Sequence, residues 1–586
     1  MRAGALVSRL GALVVILGVV GLLPWLSGRD PALSILRARS AEQEPTKEAL
    51  DTIRRELGLG SGPLRALGDW LGGVVRGDLG RSWVDGAEVL PSVLSGLAVS
   101  LTLMGAALVV TLVLTVALCT PTLVRGALGT LRGSTSTGGP AAALAALPEF
   151  LLATLLLLIL SVWLGWFPPY GWRGPQHLVL PALALGIPAG GILGRLVDDA
   201  LPAVFEERWV GLWRSSGCTP GVIARAALRR AMPPLLPQFG LVAVALTGGA
   251  VAVETVFAVP GIGRTALGSA EAQDLPLLQG SVLALVLLGV VAGVIIEVAR
   301  RRMLGPGLRD AALSLPARMT GDAGRLNRLV PAISAVLLAV VIGWGLLLEP
   351  LHLDTTARLA APSWNHPLGT DSLGRDVLAR VGHGAVPTLG AAVLVCVCSF
   401  VIAMVLGFLP GITTGAAETI NAVPPVIAGI LVAAAVGPGT AGASIAVAAV
   451  GWPALAAHAA ALVQETRAAM HLSAQRAIGS SPFWILTRHV LPAVAGPVAR
   501  HAVLRLPGFA LAIAALGFLG LGAQPPKPEW GLMLAESLPY VERAPWAALA
   551  PTVLLLLLAA LAVSLSTLPV KPRSSLPAVP KVASDV

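Results

Sequence analysis

Arginine, glycine and proline recur in one order at two places in this chain. The first is WRSSGCTPGVIARAALRRAMPP, Trp213 to Pro234, and the second is SAQRAIGSSPFWILTRHVLP, Ser473 to Pro492. Each offers an arginine, then a glycine, a proline three residues on, a helix-like stretch with further cations, and a closing proline. The chemistry open to Arg214, Arg225, Arg229 and Arg230, and to Arg476, Arg488 and His489, is recognition: guanidinium and imidazole groups donate to carboxylates, phosphates or partner carbonyls. Gly217 and Gly479 lack a Cβ and suit a sharp turn. Pro220 and Pro482 suit the first turn of the helix that follows. Pro234 and Pro492 are expected to end that helix at re-entry into an apolar segment. One such loop reads as a basic connection whose long side chains snorkel between spans. Two, about a half-chain apart, read as a docking device built twice.

Covalent chemistry has no comparable support. A phosphate-cradling loop needs Gly-Lys-Ser/Thr, and the four lysines, Lys47, Lys527, Lys571 and Lys581, follow Thr46, Pro526, Val570 and Pro580. The chain is therefore not expected to hydrolyse ATP. No catalytic set and no zinc-type spacing such as HExxH is present, so no metal site is expected. Cys119, Cys396 and Cys398 lie in apolar segments and Cys218 in a loop; they read as small buried hydrophobes.

The elements that position the two loops are apolar. Of 586 residues, 55% are hydrophobic and 12% charged, more apolar surface than a water-soluble fold hides. Twelve runs are candidate spans: 6–26, 92–119, 141–165, 179–197, 236–256, 279–298, 329–349, 387–410, 424–438, 441–463, 496–518 and 546–568, of the length that about 30 Å of hydrocarbon requires. The first run has no clear small-x-small cleavage site after it and reads as a retained span. The net charge of +10 comes from arginines at span ends, without the interleaved aromatics of a nucleic-acid surface, so nucleic acid is not an expected partner. Arginines crowd the connections on one side of the spans, including Arg125, Arg132, Arg208, Arg300, Arg301, Arg302, Arg309, Arg318, Arg325 and Arg328, and the tail residues Lys571 and Arg573 join them. The positive-inside rule then puts both termini and both arginine loops in the cytoplasm.

Six spans, a basic linker and six more spans make a parallel repeat. RGDLGRS (Arg76 to Ser82) before the second span corresponds to HPLGTDSLGRDVLAR (His366 to Arg380) before the eighth. In the latter, Asp371 is a candidate helix cap, and Asp371–Arg375 and Asp376–Arg380 stand at i,i+4 spacing for ion pairs. These four residues read either as a solvated helix end or as an outer surface that receives a partner. Ionisable residues in or near spans, Glu254, Glu297, His458, Arg195, Asp198 and Asp199, are expected to sit at interfaces or pair between helices rather than relay protons.

Taken together these segments resemble the B-type and C-type membrane subunits of bacterial dipeptide, oligopeptide and nickel ABC importers, fused head to tail. The B-type likeness rests on GRDPALSIL, ELGL, RGDLGRS, HLVLPALALG and AVETVFAVPGIGR. The C-type likeness rests on HPLGTDSLGRDVLAR, QRAIG with RHVLP, and LGFLGLGAQPPKPEWGLMLAE. The resemblance implies an all-α polytopic membrane protein of about twelve helices in two parallel six-helix repeats, each with an ABC type-1 permease core. It divides the chain into 1–305 (outer loop 28–90, coupling loop 205–234), a cytoplasmic linker 306–328, 329–570 (coupling loop 466–492) and a cytoplasmic tail 571–586. It also implies that Arg214 and Gly217, and Arg476, Ala477 and Gly479, belong to coupling helices docking on two ATPase subunits, which are identical or different. Ser473 replaces the usual acidic residue, and Trp213, Ser215 and Ser216 depart from the family pattern, which bears on fine contacts rather than on docking. The partners implied are those ATPases, which bind the ATP and magnesium, an external substrate-binding protein, a short peptide and the lipid of a bacterial inner membrane. Nickel or a metal chelate is the alternative substrate. A secondary transporter of six plus six spans is the rival class, and it calls for a central set of ion-coupling charges that this chain lacks.

Overall fold

In hydrocarbon every backbone polar group must be satisfied within the chain, so long apolar segments become helices. The computed structural model describes residues 14–26, 46–56, 62–131, 138–145, 147–304, 325–409 and 423–567, with isolated positions among 11–36 and 417–420. The linker expected at 306–328, apart from the helix start at Arg325, and the tail at 571–586 lie outside the described residues.

Among the described residues, eight helices are long and apolar enough to cross a membrane and three shorter apolar helices accompany them. In the first half these are α1 (Val89–Leu128), α2 (Glu149–Leu156, extended by a π-helical turn at Leu157–Trp163), α3 (Pro175–Phe205), α5 (Pro220–Val256) and α7 (Leu275–Leu304). The short α4 (Arg208–Ser215) and α6 (Ile262–Ala272) fall between them. In the second half come α8 (Arg325–Leu346), α9 (Val377–Gly407), α10 (Pro425–Val436), α11 (Thr440–Gly451) with α12 (Pro453–Ala468), α14 (Leu491–Phe518) and α16 (Pro545–Thr567). The short α13 (Met470–Ala477) and α15 (Trp530–Ser537) repeat the places of α4 and α6. Residues 14–26 are mostly helical too, while 6–10, 12 and 13 of the first expected span lie outside the described residues; the other expected spans each have a helix. No named strand occurs among the described residues; Arg81–Glu88 and Thr370–Asp376 are isolated bridges at equivalent places.

Small residues set the closest helix approach, as lipid-embedded packing requires. Gly186, Gly190 and Gly194 of α3 lie one turn apart, and a Cβ on them would come within 2.6 to 2.9 Å of Val110, Leu114 and Leu118 of α1. Beside that stripe the Thr111 and Thr115 hydroxyls and the Cys119 thiol donate to the carbonyls of the same three glycines, at 3.3, 3.5 and 3.4 Å. Cys119 is thus a buried rung of a helix interface. Between the halves, α10 packs on α5 and α6, Pro424 fills the space over Gly248, and Phe150 meets Phe518 at 5.5 Å. One apolar core runs through both halves.

One expectation fails here. Pro234 and Pro492 do not end a separate surface helix. Helix α5 runs unbroken from Pro220 through Pro233, Pro234 and Pro237. In the second half, Pro482–Ile485, a π-helical turn at Leu486–Val490 and α14 form one continuous rod. A proline forfeits one intrahelical bond, but neighbouring helices confine the backbone on both sides, and the wider π turn absorbs the irregularity before Pro492.

Candidate coupling interface

Helices α4 and α13 have the same length and closely similar ends. The residue before each, Glu207 or Ala469, is extended at φ −62° and −66°, and the closing residue, Ser216 or Ile478, sits at φ −82° and −84°. Gly217 and Gly479 then turn at φ +78° and +86°, a region costly to residues with a Cβ. Their N–H groups reach back to Arg214 O and Arg476 O, both at 3.1 Å, and the next N–H groups to Trp213 O and Gln475 O, both at 3.0 Å. Thr219 and Ser481 resume extended backbone, and Pro220 and Pro482 open the following helices. The same six-residue turn is built twice from different side chains.

One side chain of each short helix is fully buried. Val210 and Leu472 occupy the same position and are 0% exposed. Val210 packs among Val204, Phe205, Ile223 and Ala127, and Leu472 among Val463, Ile485 and Val490 beside Phe408. Exposed apolar side chains stand among the polar ones on the open side: Leu212 on α4, Met470 on α13, and Ile478 and Phe483 just beyond α13. Exposed apolar groups clustered on such a device mark an interaction surface. Sequence reasoning weighed the cations and passed over these four; the signal was their apolar character inside otherwise polar loops.

The cations divide into two sets. Arg214 donates to Gly126 O and, at 3.3 Å, to Ala127 O, capping the last carbonyls of α1, where positive charge is favoured. Arg230 pairs with Glu207 at 3.1 Å, and Glu207 also accepts from the Trp209 indole at 2.7 Å. Arg214 and Arg230, expected as docking donors, therefore fasten α4 to the bundle. Arg225, Arg229, Arg476 and Arg488 are exposed, as is Ala477, while His489 is half-buried against Trp484 at 4.9 Å.

At the far end of the bundle the four residues weighed as a partner-docking surface are placed otherwise. Arg375 and Arg380 both reach Asp371 Oδ2 at 2.7 Å and both reach Glu536 Oε2, at 3.3 and 2.7 Å. Asp371, Arg375 and Arg380 are 2 to 6% exposed, so this four-charge network is internal and offers those charges to no partner. The Asp371–Arg375 pair forms as spaced. The Asp376–Arg380 pair does not, because Arg380 turns toward Asp371 and Glu536. Asp376, not Asp371, caps α9, accepting from Ala379 N at 2.9 Å and holding His366 at 2.8 Å. Asp371 instead closes a turn, accepting from Leu373 N and Arg375 N. Nothing in local spacing links Glu536 to Arg380.

Of the ionisable residues near spans, Arg195 pairs with Asp199 at 3.8 Å. His458 stacks on His501 at 4.9 Å, with Arg505 one turn beyond, over the Phe509 ring. The first pair lies within α3 and the second joins α12 to α14. The Glu297 side chain lies outside the described residues.

The described residues thus form apolar, membrane-compatible helices in two repeats, each carrying one short helix on its own glycine turn. The family model for the binding-protein-dependent transport system inner membrane component matches residues 106–309 and again 393–571, and the chain belongs to that family. It is similar to a peptide transport system permease protein of Brucella melitensis, 30% identical over 317 residues, which is 51% of this chain and 96% of that relative. It is similar to the di/tripeptide transport system permease protein DppC of Pseudomonas aeruginosa, 34% identical over 41% of this chain and 84% of the relative. It is also similar to the peptide transport system permease protein SapC of Escherichia coli, 33% identical over 39% of this chain and 82% of the relative. Each relative is about half as long as this chain, which carries the family twice.

Proposed function

We propose that this chain is the complete two-half pore of an ATP-driven importer of short peptides, receiving substrate from an external binding protein. In this reading α4 and α13 are coupling helices on the cytoplasmic side, and the ATPases that engage them are separate chains. The observation that carries it is the repeated short helix, with one buried anchor and one glycine turn, present once in each half of a chain whose two family matches fall on those halves. The peptide substrate rests on the relatives being peptide and di/tripeptide transport system permeases. Selectivity in such a system resides mainly in the binding protein, so the pore chiefly supplies path and coupling. The rock between inward-open and outward-open states requires that ATPase closure be transmitted through both helices.

The test is uptake of labelled dipeptides against Ni²⁺ in a strain lacking this chain, with and without it restored, together with co-purification of two ATPase subunits. Peptide uptake that depends on the chain, with ATPases retained, supports the reading. Chain-dependent Ni²⁺ uptake without peptide uptake overturns the substrate, and purification without any ATPase overturns the coupling.

A further inference from the structure

A buried glutamate is held in the same way in both halves, yet the chain supplies it from two different sides. In the first half Glu254, near the end of α5, is 0% exposed. Its Oε1 accepts from the Ser100 hydroxyl of α1 at 2.5 Å and its Oε2 from Arg264 N at 2.9 Å, while Ser100 Oγ accepts from Ile262 N at 2.9 Å. In the second half Glu529, just before α15, is 1% exposed. Its Oε1 accepts from the Thr388 hydroxyl of α9 at 2.9 Å and its Oε2 from Leu532 N at 2.9 Å, while Thr388 Oγ1 accepts from Trp530 N at 3.4 Å. Ser100 and Thr388 stand at the same register from the start of α1 and α9. Ile262 and Trp530 open α6 and α15, and Arg264 and Leu532 each follow two residues later. Every part of the closed ring is equivalent except the origin of the carboxylate.

Glycines make room for each choice. Gly261 takes the place in front of α6 that Glu529 takes in front of α15, and a Cβ there would lie 2.2 Å from the Glu254 carboxyl. By the register of the helix ends, Glu254 and Thr255 correspond to Leu516 and Gly517. A Cβ on Gly517 would lie 2.0 Å from Glu529 Oε2. Gly96 of α1 and Gly384 of α9, again at one register, let the short helices approach closely, with nearest contacts of 3.2 Å from an added Cβ. Each carboxyl thus bridges a hydroxyl of the long helix and a backbone N–H of the short one, and the same hydroxyl accepts from the short helix's first N–H, which closes the ring.

We propose that Glu254 and Glu529 are equivalent positioning residues, one per half. Each clamps a short helix to the second span of its half, and the requirement is for a carboxylate at that point in space, whichever segment supplies it. The clamps lie at the end of the bundle remote from α4 and α13, since α5 runs its full length between Gly217 and Glu254. They make α6 move with α1, and α15 with α9, so that each half rocks as one body. The use of uptake as a readout rests on the importer reading above; thermal unfolding does not.

The experiment rebuilds the second-half clamp in the first half of the full chain, produced with its partners. Glu254→Leu and Glu254→Leu/Thr255→Gly remove the carboxylate; Glu254→Leu/Thr255→Gly/Gly261→Glu returns it from the other side. Peptide uptake per chain in the membrane and the unfolding midpoint of the purified chain in detergent are both read. The first two variants lower uptake about tenfold, from stranding buried donors, and lower the midpoint. The triple variant recovers most of both. A triple variant no better than the double, or Glu254→Leu indistinguishable from the unaltered chain in both readouts, overturns the proposal. If the unaltered chain imports no dipeptide, the substrate reading fails while the unfolding series still decides the clamp.

Discussion

The glycine turns give the sharpest test of the coupling helices. Gly217 and Gly479 sit at φ +78° and +86°, and nothing lies within 4 Å of a Cβ added to either. A larger side chain there meets no neighbour, so the whole cost is backbone strain. For a β-branched residue in the left-handed region that cost is about 1–2 kcal/mol. Since about 1.4 kcal/mol is a factor of ten in population, Gly217→Val or Gly479→Val lowers the formed turn about tenfold. The two turns share no contacts, so their costs add, and the double variant falls about a hundredfold. Asparagine tolerates this conformation, and Gly217→Asn/Gly479→Asn stays close to the unaltered chain. The assay is ATP-dependent uptake in cells, normalised to chain in the membrane, with ATPase co-purification alongside. Unchanged uptake by the double valine variant, or equal damage from asparagine and valine, refutes the argument that these turns hold a working coupling device.

Three further outcomes follow from the same geometry. Asp371→Asn leaves Arg375 and Arg380 buried beside Glu536 alone, a loss of about 3–5 kcal/mol; the chain should accumulate poorly in the membrane, and normal accumulation and unfolding midpoint count against the network. Gly190→Leu drives a side chain into Leu114 across the α1–α3 interface and should reduce folded protein, measured by detergent-resistant monodispersity, whereas the exposed Gly211→Ala, with open space around it, should not. With Cys218 replaced by serine, a cysteine at the exposed Ser473 should resist an impermeant thiol reagent on whole cells and react in inverted vesicles, while one at Lys527 does the reverse; labelling of Ser473→Cys on whole cells removes the cytoplasmic assignment.

The all-helical fold, the repeat and the place of both short helices were legible in the chain because each depends on local pattern. Apolar length specifies a span, and a glycine followed three residues on by proline specifies a turn into a helix. The same local logic misjudged Pro234 and Pro492, since a proline ends a helix only where its neighbours leave the backbone free to bend. It also paired Asp376 with Arg380 on spacing alone, when Arg380 had a better-placed acceptor in Glu536 on a distant segment. Arg214 looked like a donor to a partner and is instead spent on the carbonyls at the end of α1. Composition and periodicity determine which segments enter the bilayer and in what order. Which charges are internal, which apolar residues stay open on α4 and α13, and how Glu254 and Glu529 come to do one job from two directions depend on contacts between remote segments, and those exist only once the helices have packed.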